Sequence, residues 1–194
     1  SRSSSSNQPP ANAAQAAASE NPGLPAAPAN VGKAAIRRRI VELCCEVDSE
    51  IGHNRFKRNG CEVIRITKED DLLSETGFNK ALTAASHPGV LLMVTLPCTG
   101  ECSWQSINIH KPKCKAKIQK DRRQFKALLA KVELIADRAK TWDGSIAMEL
   151  PRNNGYLKCP EVQAFIQRYG LQTAKFDGCM LGTTGKADLI KKPW

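Results

Sequence analysis

A cysteine follows a proline directly after the most apolar segment of the sequence. Residues 90–96 read VLLMVTL, and Pro97, Cys98 and, after one more residue, Gly100 come next. Proline removes a backbone donor and restricts φ, whereas glycine permits an unusual turn, so the thiol of Cys98 is predicted to lie at the rim of the fold. A thiol held there can act as a nucleophile if its surroundings lower its pKa. The same position also suits an unreactive cysteine in a turn.

A dense group of basic residues follows this cysteine. Between Lys111 and Lys126 the sequence has eight basic residues and the single acid Asp121. Such a group can neutralise the phosphates of a nucleic acid, although the solvated face of a helix has the same spacing. The predicted nucleic-acid contacts are Lys113, Lys115, Lys117, Lys120, Arg122 and Arg123.

Four residues of the same region have side chains that can bind zinc, and these are Cys98, Cys102, His110 and Cys114. A tetrahedral zinc site takes these ligand types, but the usual Cys-x2-Cys pair is missing. We therefore predict no metal site and keep zinc as an alternative. A zinc-bound thiolate could not add to a substrate, so this alternative would exclude a nucleophilic role for Cys98.

Alternating strands and helices are predicted around these residues. Short runs of branched and apolar residues predict strands at 40–45, 61–67, 90–96, 145–150 and 171–176, with a helix over 36–44 as the alternative to the first. Apolar residues at helical spacing predict helices from the cap residue Ser74 to 87–89, over 115–140 and over 160–169. The order predicts an α/β fold: a Rossmann-like, doubly wound, mostly parallel sheet with helices on both faces. Reacting groups collect at the carboxyl ends of such strands, and Cys98 follows one of them.

The composition divides the chain into two parts. Residues 1–30 consist mainly of Ser, Ala, Pro and Asn, which predicts a disordered linker, and residues 31–194 are predicted to form one domain. The formal net charge of +10 lies entirely in the second part, because the first contains only Arg2 and Glu20 as charged residues. This excess favours a polyanionic partner and first of all a nucleic acid, either DNA or RNA.

The sequence has no apolar run of the roughly 18 to 20 residues that a membrane span needs, and no secretory signal. We therefore expect an intracellular protein without a membrane partner, nuclear or cytoplasmic, whose eight cysteines are reduced. The chain begins at Ser1 and ends at Trp194, from which we expect it to be part of a longer polypeptide.

Several segments carry a resemblance to a known family. These are VELCCEVDSEIG, VIRITKEDD, LPCTGECSWQSIN, and ELPRNNGYLKCPEVQAFIQRYGL with FDGCMLG. They are similar to the methyltransferase-like domains of retrotransposon polyproteins, which are related to the cytosine-C5 DNA methyltransferases. The resemblance covers residues 40 to 182, and its most specific parts are PCTGECSWQ and ELPRNNGY followed by FDGC. It implies an S-adenosylmethionine-dependent, cytosine-C5 DNA methyltransferase-like domain.

The resemblance also implies roles for individual residues. Cys98 matches the nucleophile that adds to C6 of the cytosine ring, and Glu149 matches the glutamate that binds and protonates the ring at N3. The positions that match the binding site of S-adenosylmethionine are Glu42, Cys44, Asp48, Asp70 and Asp71. The chemistry explains the pairing, because addition to an aromatic ring needs a nucleophile on one atom and a proton donor on another.

The chain departs from the family pattern at three positions. Glu46 and Asp48 stand where the methyltransferases usually have glycines, and Leu150 stands where active enzymes commonly have asparagine. These departures favour, as an alternative, a degenerate domain that acts as a noncatalytic, basic nucleic-acid-binding module of a retroelement polyprotein. A thiol hydrolase that pairs Cys98 with a histidine is a more distant alternative, because no histidine has a recognisable partner context.

Overall fold

A parallel β-sheet of four strands forms the centre of the fold. The computed structural model describes residues 38–52, 60–103 and 105–176, so the predicted linker and Trp104 lie outside the described residues. The strands are β1 (Arg38–Cys45), β2 (Cys61–Thr67), β3 (Leu91–Val94) and β4 (Ser145–Met148). Their order in the sheet is β2-β1-β3-β4, and every neighbouring pair is parallel. The strand order reverses between β1 and β3, which is where open α/β sheets bind their ligands.

Four α-helices accompany the sheet in the described part of the chain. They are α1 (Glu75–Ala85), the single turn α2 (Gln105–Asn108), α3 (Pro112–Thr141) and α4 (Pro160–Tyr169). Helix α1 packs on β1 and β2, and α3 packs on β3 and β4. Because α1 and α3 also contact each other, they form one layer on the same face of the sheet.

The core lies between this helical layer and the sheet. Alternate strand residues point into it, as the period of two in a β-strand requires. Buried side chains from the strands include Val41, Leu43, Ile66, Leu92 and Val94, and those from α3 include Phe125, Leu129, Val132 and Ile135. Each of these large side chains contributes about 1.5 to 3 kcal/mol through its removal from water. The sheet that carries Cys98 is therefore held to α3 by apolar burial.

Local signals in the sequence set the ends of α1 and α4. The hydroxyl of Ser74 accepts a hydrogen bond from the backbone N–H of Gly77 at 3.0 Å, which caps α1 as predicted. Helix α4 begins at Pro160 and ends before Gly170, whose φ of +62° is the left-handed conformation that glycine favours at this place.

The structure confirms the predicted α/β, Rossmann-like fold. One alternative and one prediction fail within it. Residues 38–45 form a strand, so the alternative helix over 36–44 is wrong where the structure describes it. Residues 171–176 form no strand, because neither alternate face of LQTAKF is apolar enough to pack on a sheet. The prediction places helices on both faces of the sheet. Helices α1 and α3 cover one of these faces, and residues 53–59 of the β1–β2 connection lie outside the described residues.

None of the helices in the described ranges is long and apolar enough to cross a bilayer.

Candidate functional site

Cys98 lies just beyond the carboxyl end of the central strand β3. The chain leaves β3 at Val94, and the hydroxyl of Thr95 then donates a hydrogen bond of 2.7 Å to the carbonyl of Leu43 near the end of β1. Cys98 is half-buried, and its φ of −88° and ψ of 0° lie in the sparsely populated bridge region. The predicted rim position is therefore the observed one.

Side chains from three other segments hold the loop that begins at Cys98. This Cys98 loop consists of Cys98 and the 3₁₀ turn Thr99–Glu101. The carbonyl of Cys98 accepts a hydrogen bond from Asn154 Nδ2 at 2.9 Å. The carbonyl of Thr99 accepts one from Gln105 Nε2 at 2.8 Å, and that of Gly100 accepts one from Arg122 Nε at 3.4 Å. Arg122 also forms an ion pair of 2.7 Å with Glu101. The loop is thus fixed from α2, from α3 and from the segment after β4.

The two most specific motifs of the sequence interlock at this loop. A side chain added at Gly100 would collide with the phenol oxygen of Tyr156, and a Cβ at Gly155 would come within 2.5 Å of Glu101 Oε2. Each motif therefore provides a glycine where a side chain of the other packs. PCTGE and ELPRNNGY, which are separated by 47 residues in sequence, form one unit in space.

Glu149 follows the neighbouring strand β4 and lies at the same edge of the sheet. Its backbone N–H donates to the carbonyl of Val94 at 2.9 Å, which continues the β3–β4 pairing by one residue. The side chain is half-buried and lines a cavity of about 370 Å³ that is otherwise mainly apolar. Arg152 lines the same cavity, but Cys98 does not. The structure brings Cys98 and Glu149 to adjacent strand ends without showing one pocket that both of them line.

The predicted cofactor residues of β1 have unequal environments. Glu42 is only 3% exposed, and its Oε1 accepts a hydrogen bond of 2.5 Å from the hydroxyl of Ser49. Its Oε2 is buried and has no hydrogen-bond partner among the described residues. Cys44 has a φ of +60° at a break in the strand register, and burial raises the pKa of its thiol to about 11. Asp48 is exposed in the loop after β1.

Arg65 fixes that loop to the sheet. Its guanidinium donates hydrogen bonds to the carbonyl of Val47 and, at 2.8 Å, to the carbonyl of Ser49. Arg65 lies beside Glu42 in the register of β2 with β1. The loop after β1 is therefore held by side chains from two neighbouring strands, Glu42 of β1 and Arg65 of β2.

The acidic residues after β2 also differ from each other. Both carboxylate oxygens of Asp70 are occupied, since Oδ2 accepts from the backbone N–H of Thr67 at 2.8 Å and Oδ1 from Lys80 at 2.6 Å. Burial of Asp70 opposes ionisation, but the hydrogen bonds from Lys80 and Thr67 outweigh it and lower the pKa of this carboxyl. Asp71 is exposed, with a φ of +46°. Of these two residues, Asp71 is the one that can reach a ligand without losing an ion pair.

The basic residues of α3 fall into two groups. Lys113, Lys115, Lys117, Lys120 and Arg123 are exposed, whereas Arg122 is half-buried and engaged with the Cys98 loop. Lys117 forms an exposed ion pair of 2.8 Å with Asp121. The first turn of α3 contains no acidic residue, so nothing in that turn offsets the positive end of the helix dipole.

The zinc alternative has no geometric support. All four potential ligands, Cys98, Cys102, His110 and Cys114, belong to the described residues. No group of three or more His, Cys, Asp or Glu side chains that could hold a metal ion occurs in that part of the chain.

No protein-family model, curated protein or solved structure matches the chain. The roles of Asn154 and Arg122 in holding the Cys98 loop are not evident from the sequence. The only signal for Asn154 is its place in the motif ELPRNNGY, and the spacing of Arg122 resembles that of its surface neighbours.

Proposed function

We propose that this domain is a cytosine-C5 DNA methyltransferase-like domain in which Cys98 is the nucleophile and Glu149 the proton donor. The interlocking of PCTGE with ELPRNNGY is the observation that supports it most strongly. The hydrogen bond from Asn154 to the Cys98 carbonyl and the pairing of β3 with β4 bring both residues to one edge of the sheet. A nucleophile and a proton donor must meet at such an edge to act on one ring.

The proposed chemistry uses two groups of the chain. The thiolate of Cys98 forms a bond to C6 of cytosine while the π electrons of the C5–C6 double bond move towards C5, and the carboxyl of Glu149 gives its proton to N3. S-adenosylmethionine, when bound, would supply the electrophilic methyl group for C5, and its S–CH3 bond would break to release S-adenosylhomocysteine. Loss of the C5 proton to water then restores the double bond and expels the Cys98 thiolate, and N3 returns its proton to Glu149.

The residues that fit the cofactor are a subset of those predicted. Glu42 offers a buried carboxylate oxygen that no described residue binds, and Asp71 offers an exposed carboxylate at the end of the neighbouring strand. Carboxylates near the carboxyl ends of β1 and β2 suit the amino and hydroxyl groups of the cofactor. Asp70 fits less well, because its two oxygens are already bound to Thr67 and Lys80.

DNA is the proposed substrate because of the exposed basic residues of α3. These residues begin at the N-terminus of α3, where the helix dipole is positive. Positive side chains there destabilise the helix by itself, but bound phosphates would make the arrangement favourable. A cytosine in a duplex must also be extruded before a thiol can reach C6, which costs a few kcal/mol. Phosphate contacts by Lys113, Lys117 and Lys120 would offset part of that cost.

A methyl-transfer assay tests the proposal. Labelled methyl groups should pass from S-adenosylmethionine to cytosine in DNA, and both Cys98→Ser and Glu149→Gln should abolish the transfer. Cys102→Ser is the matched control, since it removes a half-buried thiol four residues away and should leave the transfer intact. Transfer that persists in Cys98→Ser would refute the assigned nucleophile.

A noncatalytic nucleic-acid-binding module is the second candidate function. Two observations favour it. The carboxylate of Asp70 is already bonded to Thr67 and Lys80, and Cys98 does not line the cavity that Glu149 lines. In that case a calorimetric titration with S-adenosylmethionine gives no heat, and Cys98→Ser binds DNA as tightly as the original chain. Parallel titrations with DNA and RNA of the same sequence identify the preferred nucleic acid.

A further inference from the structure

Asn154 is the only buried amide side chain of the described residues, and both of its ends are engaged. The residue is 4% exposed. Its Nδ2 donates to the carbonyl of Cys98 at 2.9 Å, and its Oδ1 accepts from the backbone N–H of Tyr156 at 3.0 Å. Its own backbone N–H donates to the carbonyl of Pro151 at 2.8 Å. The side chain therefore joins a fixed segment after β4 to a residue 56 positions away.

Only an amide of this length can make both bonds at once. An aspartate would keep an acceptor for the N–H of Tyr156 but would present a carboxylate to the carbonyl oxygen of Cys98. Alanine would remove both partners and leave a buried N–H without its acceptor. The two bonds therefore specify asparagine at this position.

The bond from Asn154 fixes the peptide group that follows Cys98. The same carbonyl oxygen also accepts from the backbone N–H of Glu101 at 3.3 Å, so two donors define its direction. The preceding residue, Pro97, has a restricted φ and no N–H. The two bonds to the carbonyl of Cys98 thus hold the ψ of Cys98 near 0°, and this constrains the direction in which its Cβ leaves the backbone.

We propose that Asn154 is a positioning residue that holds Cys98 in its reactive orientation through the carbonyl of Cys98. This inference rests on the proposed function for its catalytic meaning, since orientation matters for the reaction only if Cys98 is the nucleophile. The bond itself predicts a separate property, which is the accessibility of the Cys98 thiol. Loss of one such bond shifts a local equilibrium roughly fivefold.

The test compares Asn154→Asp with Asn153→Asp, which introduces the same charge at the exposed neighbouring residue. Each variant of the full chain is treated with iodoacetamide near neutral pH, and mass spectrometry gives the alkylation rate of every cysteine. Asn154→Asp should raise the rate at Cys98 roughly fivefold relative to Cys61 in β2. Asn154→Ala should do the same, whereas Asn153→Asp should not.

Two results would overturn the proposal. One is an unchanged Cys98 rate in both variants of Asn154. The other is a rise shared equally by Cys61 and Cys45, because general unfolding exposes all cysteines and would assign Asn154 to stability alone. If the original chain transfers methyl groups, Asn154→Asp should lower kcat while KM for the cofactor stays unchanged. If it does not, the proposed function fails, but the alkylation ratio still decides whether Asn154 positions Cys98.

Discussion

The guanidinium of Arg122 lies 2.7 Å from the carboxylate of Glu101, and this ion pair ties α3 to the Cys98 loop. A second bond, from Arg122 Nε to the carbonyl of Gly100, acts in the same place. The adjacent Arg123 is exposed and belongs to the surface of the helix. Two consecutive arginines of one basic segment therefore have different roles.

The first prediction separates these two arginines. Arg122→Ala should lower the free energy of unfolding by about 1 kcal/mol, because it removes a partly buried ion pair and a bond to the loop. Arg123→Ala should change it by less than about 0.5 kcal/mol. Urea denaturation of both variants measures the difference. Equal losses would show that Arg122 does not hold the loop.

The second prediction concerns the exposed lysines of α3. Replacing Lys113, Lys117 and Lys120 together by glutamine should reduce the slope of log K against log salt for DNA by about 2 to 3, since each lost phosphate contact contributes roughly 0.9. The matched control replaces Lys68, Lys158 and Lys175, which are also exposed, and removes the same charge. Fluorescence anisotropy at several salt concentrations gives both slopes. An equal decrease in the control would attribute binding to net charge.

The third prediction compares two tyrosine hydroxyls. The ring of Tyr156 stacks on Phe125 with centroids 3.5 Å apart, but its hydroxyl is buried and has no hydrogen-bond partner among the described residues. Tyr156→Phe should therefore leave the free energy of unfolding unchanged or raise it by about 1 kcal/mol.

Tyr169→Phe is the comparison for this test. The Tyr169 hydroxyl lies 2.8 Å from Asp137 Oδ1 and 3.0 Å from the carbonyl of Glu133, so its removal should lower the free energy of unfolding by about 1 kcal/mol. Denaturant midpoints show which variant is more stable, provided that the dependence of the unfolding free energy on denaturant has the same slope in both. The reverse order would mean that the Tyr156 hydroxyl has a partner in solution.

The fourth prediction is a loss of stability at alkaline pH. Burial raises the pKa of Cys44 to about 11, and burial together with the nearby Glu42 carboxylate raises the pKa of Cys45 to about 12, from the ordinary thiol value of 9.0. Above the unfolded value the unfolded chain releases these protons while the folded chain keeps them. The free energy of unfolding should therefore fall as pH rises from about 9 towards 11, by up to about 1.4 kcal/mol per pH unit and thiol.

Cys44→Ala provides the control for the pH series. Other groups titrate in the same range, so the informative quantity is the difference between the original chain and the variant at each pH. That difference should move in favour of the variant as pH increases above about 9. A difference that does not vary with pH would show that Cys44 titrates normally in the folded chain.

Sequence patterns predicted the elements whose signals are local. Ser74 caps α1 and Gly170 ends α4 because a hydroxyl and a flexible backbone act on residues only a few positions away. The unbroken apolar run before Pro97 likewise predicted the central strand and the rim position of Cys98. These features need no knowledge of distant contacts.

The remaining features depend on partners far away in the sequence. Arg122 fits the spacing of a surface cation, and only the loop packed against α3 makes it an ion-pair partner of Glu101. Residues 171–176 follow the strand–helix alternation of the chain but do not pair with β4. Asn154 lies in the segment ELPRNNGY, but the carbonyl to which it donates belongs to Cys98, 56 residues away.

Helix α3 is long enough to extend beyond the carboxyl ends of the strands. Its 30 residues span about 45 Å, whereas the four residues of β3 span only about 13 Å. Arg122 is level with the turn after β3, so the ten residues before it project about 15 Å past that turn. The exposed lysines lie on this N-terminal extension of α3. A polyanion bound to them would lie next to the carboxyl ends of the strands.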